Sequence, residues 1–295
     1  MFRNIKILTL LLLIFSGNSR AENDTINYRQ RRLVFISTTS VLYTASMTAL
    51  AKTWYSKYEH SSFHWFNDNN EWLQMDKVGH SITAWKVNTV LYEGFNYAGY
   101  SRNKSVILSF ISSNIAMAGI ELFDGFSAKW GASYGDIISN LAGSSLYSAQ
   151  KMWLQETWLI PKFSFHRTPY AELYPEAFGT SFPENCLKDY NGQTYWLALP
   201  LKRIHNSAPE WLCLSFGYGA EEMIDATSDN HLHLPSFNNY ARYRQYYISM
   251  DINLRGIKTK STFLRTCFNA INIIRIPLPA LELSRGRLKG HLLYF

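Results

Sequence analysis

Residues 246–257, YYISMDINLRGI, decide the fold class. Tyr246, Ile248, Met250, Ile252 and Leu254 alternate with Tyr247, Ser249, Asp251, Asn253 and Arg255, the period of two imposed when successive side chains of a β-strand point to opposite faces. The expectation is an antiparallel sheet with its apolar set on a core and its polar set in water. Upstream, TYWLALPLKRI (194–204) and WLCLSFGYGA (211–220) have the same strand character, with a turn expected at the glycines of GYGAEEM (217–223) and a hairpin at Asn191-Gly192. Downstream, Phe263 to Arg275 returns to helical spacing through Leu264, Cys267, Phe268, Ile271 and Ile274, and PLPAL (277–281) stops it. Four or five candidate strands are visible. A closed membrane barrel needs about eight, so the terminal aromatic Phe295 points at most to a peripheral or partly embedded protein.

The N-terminal half has a different period. Residues 33–51 carry no charge and read as a buried or membrane-skirting helix. MDKVGHSITAWKVNTVLYEGFNYAGY (75–100) has Val78, Ile82, Trp85, Thr89 and Tyr92 on one side. Val106 to Leu122 is a second apolar run with Glu121 inside it. GDIISNLAGSSLYSAQKMWL (135–154) is expected to begin a helix at Asp136, its core side formed by Ile137, Leu141, Ser144 or Ser145, and Ala149. Four helices in this span make a bundle. The reading is therefore an α+β protein: a signal peptide over 1–21, a helical bundle over 22–160, a proline-rich connector over 161–185 and a β-rich region over 186–295.

The signal peptide rests on Arg3 and Lys6, an apolar run from Ile7 to Phe15, and the small and polar stretch ending Ser19-Arg20-Ala21. Export to the periplasm or outer membrane follows. None of the three cysteines, Cys186, Cys213 and Cys267, stands near the cut, so an N-terminal lipid anchor is not expected, and at most one internal disulfide can form. Without the leader the chain has 26 Lys+Arg against 22 Asp+Glu, a spread excess of +4 that gives no footprint for nucleic acid. The 16% aromatic content suits cores, interfaces and membrane boundaries, so membrane or envelope components are the expected partners. His231 and His233 read as part of a surface loop.

Polar groups recur at one-face spacing on three helices: Asp76 and His80, Glu121 and Asp124, Asp136 and Asn140. Carboxylates among apolar neighbours need a partner, a metal or a proton. His80, Glu121, Asp124 and Asp136 are candidate ligands for a divalent metal, with Zn, Mn or Mg equally compatible. His80 with Asp124 is a candidate catalytic acid/base pair, and Asp76, Lys77, Glu121, Asp136 and Asn140 are candidate ligand-binding residues. The structural alternative is a buried network in which Asp136 caps its helix and Lys77 and His80 neutralise Glu121 or Asp124.

DKVGH, then GIELFDGF, then GDIISNLAG resembles the YfiM-like family of exported bacterial proteins and, more distantly, the core of the VanZ-like teicoplanin-resistance membrane proteins. The likeness covers roughly Trp72 to Tyr147, and it implies that Asp76, Lys77, His80, Glu121, Asp124, Asp136 and Asn140 form one polar site. Three roles are compatible with this sequence. The first is an envelope protein with a ligand or metal pocket. The second is a metal-dependent hydrolase or transferase acting on envelope lipid or glycan. The third is a structural partner of an outer-membrane assembly.

Overall fold

A computed structural model describes residues 27–56, 58–227 and 241–295. The signal peptide and the loop holding His231 and His233 lie outside the described residues. The chain divides into two compact units, Met1–Asp68 with His80–Thr157, and Asn69–Gly79 with Trp158–Phe295.

The first unit is helical: α1 (Tyr28–Leu50), α2 (Met75–Tyr97, its first residues assigned to the second unit), α3 (Arg102–Gly125) and α4 (Tyr134–Ala149). Helix α3 buries Ser105, Ser109, Ser113, Met117, Glu121 and Gly125, one residue in every four. Val106 is buried beside them, while Ile107, Ile111, Ile115 and Leu122 stand exposed. Helix α4 is built alike, burying Asp136, Asn140, Gly143, Ser144 and Tyr147. Leu141, expected on its core side, is exposed, as is Ile138. The reason is a seam of small and polar residues between helices. Asn88 Nδ2 donates to the Ser144 carbonyl at 2.9 Å and to Ser148 Oγ at 2.8 Å, and Asn114 Nδ2 donates to Ser144 Oγ at 2.9 Å. Small side chains let backbones approach and polar pairs join them, the packing used where apolar side chains face outward. Helices α1 and α3 are both long and apolar enough to cross a membrane. Helix α1 is held by Phe35, which packs with Leu91 and Ala98 and meets Phe95 edge-on at 4.9 Å.

Among the described residues the second unit carries six strands, β1 (Ile160–Phe165), β2 (Gln193–Pro200), β3 (Leu212–Glu221), β4 (Tyr243–Ile252), β5 (Leu278–Ser284) and β6 (Arg287–Tyr294), antiparallel and adjacent in chain order. Short helices α5 (Tyr170–Leu173), α6 (Pro175–Phe178) and α7 (Phe182–Lys188) join β1 to β2, and α8 (Thr262–Ile271) joins β4 to β5. Two turn expectations change. Asn191-Gly192 lies in a 3-10 turn that leads from α7 into β2 and makes no hairpin. GYGA continues β3, where Gly217 lies under Trp196: a Cβ there would come within 2.7 Å of the indole.

The largest departure concerns which face of the sheet is buried. On β4 the polar set, Gln245, Ser249 and Asp251 with Tyr247, is inside, and Tyr246, Ile248 and Met250 are exposed. Alternation fixed the two faces but could not say which was the inner one. The sheet is also strongly curled. Tyr294 on β6 hydrogen-bonds Thr194 on β2 at 3.1 Å, although four strand spacings in a flat sheet would separate them by about 19 Å. Trp196, Tyr247, Ala280 and Tyr294 pack together inside the curl. Around them Lys162 pairs with Asp251 at 3.0 Å, both side chains fully buried. Arg275 lies 3.8 Å above the Trp196 ring, and Glu282 meets His291 at 2.7 Å. The three cysteines are unpaired thiols.

Candidate functional site

Helices α2 and α4 cross at Gly143. A Cβ on Gly143 would sit 1.8 Å from the Ser81 carbonyl oxygen, so only glycine permits this approach. Ser81 Oγ reinforces the crossing by donating to the Ser139 carbonyl at 2.7 Å. One residue before Ser81, the His80 ring is thereby set beside α4, with Nδ1 3.2 Å from Asn140 Oδ1 and Nε2 4.0 Å from Asp136 Oδ1. Helix α3 brings Glu121, whose Oε1 is 3.7 Å from His80 Nδ1. Glu121, Asp136 and Asn140 are each at most 5% exposed.

The start of α4 explains how Asp136 reaches the ring. Its N-cap is Ser133, not Asp136 as expected: Ser133 Oγ accepts from the Asp136 backbone N–H at 3.2 Å. In a capping box the acidic residue three positions later reaches back to the N-cap N–H. Here Glu121 Oε2 accepts from the Ser133 N–H instead, at 3.1 Å, and the Asp136 carboxylate turns to His80. Ser133 Oγ in turn donates to Asp68 Oδ1 at 2.5 Å. Ser133 and Asp68 are therefore members of the cluster that the sequence reading missed. The Ser-Tyr-Gly-Asp spacing of residues 133–136 was a usable signal for Ser133; nothing local marks Asp68.

The other candidates are placed as follows. Asp124, one turn after Glu121, accepts from the Tyr55 hydroxyl at 2.7 Å. Asp76 stands one turn before His80 on α2, accepting from Tyr190 at 2.7 Å and lying 3.3 Å from Lys77 Nζ. Lys77 is buried and so pairs with Asp76. The turn into α2 is unusual: Trp72, Leu73 and Gln74 all have left-handed backbones, φ 47°, 48° and 64°. Each such residue costs about 1–2 kcal/mol. They are held by Trp72 N–H to the Ala226 carbonyl at 2.9 Å, by the Tyr218 hydroxyl on the Leu73 carbonyl, and by Arg244 on Gln74 at 2.6 Å.

Chemically, an imidazole faces oxygens on both ring nitrogens, two of the three being carboxylates from different helices. That donor set suits either a ring donating from both nitrogens or a neutral ring and carboxylates gripping a divalent cation.

Residues 63–150 match the family described as "Predicted periplasmic lipoprotein (DUF2279)". This is less than a third of the 295-residue chain, and it contains His80, Glu121, Asp124, Asp136 and Asn140. The match fits an exported protein of the cell envelope. No curated protein and no solved structure matches the chain.

Proposed function

We propose that this is a membrane-associated envelope protein whose helical unit binds a divalent cation between His80 Nε2 and Asp136. Asn140 and Glu121 both face the other ring nitrogen, Nδ1, and orient the ring as the outer partners of a metal-binding histidine do. The observation that carries the reading is the convergence of an imidazole and two buried carboxylates from α2, α3 and α4. Buried carboxylates need their charge balanced, and a bound divalent cation would add to that balance. A histidine among carboxylates favours Zn²⁺ or Mn²⁺ over Mg²⁺ and Ca²⁺, which prefer oxygen alone. Bound there, the cation would hold a phosphate or carboxylate of an envelope component, and Asp124 and Tyr55 are the next polar pair along α3.

The test is metal analysis of the full chain, purified in detergent, stripped with chelator and dialysed against Zn²⁺ or Mn²⁺. Wild type should retain one equivalent, lost in His80→Ala and Asp136→Asn and retained in Asp124→Asn. If wild type and all variants hold no metal, and the chelated protein melts at the same temperature, the cluster is a structural network and the proposal fails.

A further inference from the structure

The sheet of the second unit is built the wrong way round for water. Register aligns Phe216 on β3, Ile248 on β4 and Leu281 on β5 across its outer face, each about half exposed at 50–52%. The next outward row is Tyr218, Tyr246 and Leu283. The opposite face buries Lys162, Asp251, Arg275 and Glu282. In water this exposes hydrocarbon and desolvates charge, both unfavourable. The same arrangement is the favourable one when the medium outside the sheet is itself hydrocarbon, as on the wall of an outer-membrane barrel.

We propose that this outer face, together with α8 and the basic segment before it, is a lipid-contact surface lying among the acyl chains of an anionic membrane. Three observations favour lipid over a protein partner. First, α8 exposes Phe263, Leu264 and Ile271, the apolar face of an interfacial helix. Exposed Arg255, Lys258, Lys260 and Arg265 lie beside that face in the chain, matched in charge to anionic headgroups. Second, aromatic residues bracket the apolar band: Trp211 precedes β3 and Tyr218 lies seven residues on. That is about 23 Å along a strand, or about 18 Å of depth at the usual strand tilt, enough to cross the acyl region of one leaflet, half of a hydrocarbon core about 30 Å thick. Third, the helical unit independently shows a similar inversion, with Ser105, Ser109 and Ser113 inside α3 and Ile107, Ile111 and Ile115 outside. A docking site for one protein would not require both units to be inverted.

The experiment uses the full chain with Cys186, Cys213 and Cys267 replaced by serine and one cysteine introduced at Ile248, Leu281 or Asn206 for an environment-sensitive fluorophore. The protein is mixed with phosphatidylethanolamine/phosphatidylglycerol vesicles carrying a nitroxide on the acyl chain. Labels at 248 and 281 should shift to the blue and lose about half their emission or more, while the loop label at 206 changes little. Lys258→Gln with Lys260→Gln should weaken vesicle partitioning about thirtyfold, and added salt should weaken that of wild type. Quenching at 248 and 281 no greater than at 206 overturns the proposal. So does a blue shift that follows protein concentration without vesicles, which would assign the face to a second copy of the chain.

Discussion

Gly143→Ala tests whether the α2–α4 crossing sets the geometry around His80. The added methyl group would lie 1.8 Å from the Ser81 carbonyl oxygen, a backbone atom with no rotamer to escape into. Restoring ordinary contact near 3.4 Å requires the helices to part by about 1.6 Å. The 3.2 Å contact of His80 Nδ1 with Asn140 would then open to nearly 5 Å, too long for a hydrogen bond. Overpacking costs about 1–3 kcal/mol and the lost hydrogen bond about 1, offset by about 1 from alanine's helix propensity. The net expectation is a loss of about 1–3 kcal/mol. Gly119→Ala is the matched control. Its methyl group meets the hydroxyl of Tyr43 at 2.2 Å, the tip of a side chain that can swing aside, so its effect should be near zero. Chemical denaturation in detergent measures both, and metal retention should fall only for Gly143→Ala. Equal stability of the two variants would refute the idea that this contact fixes the site.

Other variants probe the remaining features. Lys162→Met leaves the Asp251 carboxylate buried without its 3.0 Å partner and should cost about 3–5 kcal/mol by denaturation, whereas Lys162→Met with Asp251→Leu should recover most of the loss. Ser133→Ala removes the cap of α4 and should cost about 1 kcal/mol, with helix α4 amides exchanging faster by hydrogen exchange. Burial pushes His166 below its ordinary value against the pull of Glu221 and Asp189. Because the folded pKa is the lower one, the stability His166 contributes is complete above about 6.5 and is lost as the pH falls from there through the folded value. His166→Leu should therefore lose less stability than wild type between neutral pH and pH about 5, measured as denaturation midpoints.

Much of this architecture was legible because period and spacing are local properties. Helices α2, α3 and α4 and strands β2, β3 and β4 follow their sequence patterns closely. Strands β5 and β6 were hidden because Pro279 and Gly290 interrupt their alternation, although β5 still pairs on both sides. Inside and outside were not legible. Tyr246, Ile248 and Met250 read as a core face on the assumption of an aqueous exterior, and the same assumption placed Leu141 on the inside of α4. Around His80, spacing located Asp136, Asn140 and Glu121 on their helix faces. The exchange of capping partners, in which Glu121 takes the Ser133 amide, depends on residues twelve apart meeting across two helices, which no local pattern records.

The exposed isoleucines and leucines of both units have a consequence before the protein reaches its place of work. Contiguous apolar surface in buffer drives self-association, so a newly exported chain of this kind is poorly suited to diffuse alone through an aqueous compartment. Its lifetime in transit should depend on an escort that shields those faces, and depletion of such a chaperone should convert the protein into aggregate or proteolytic fragments.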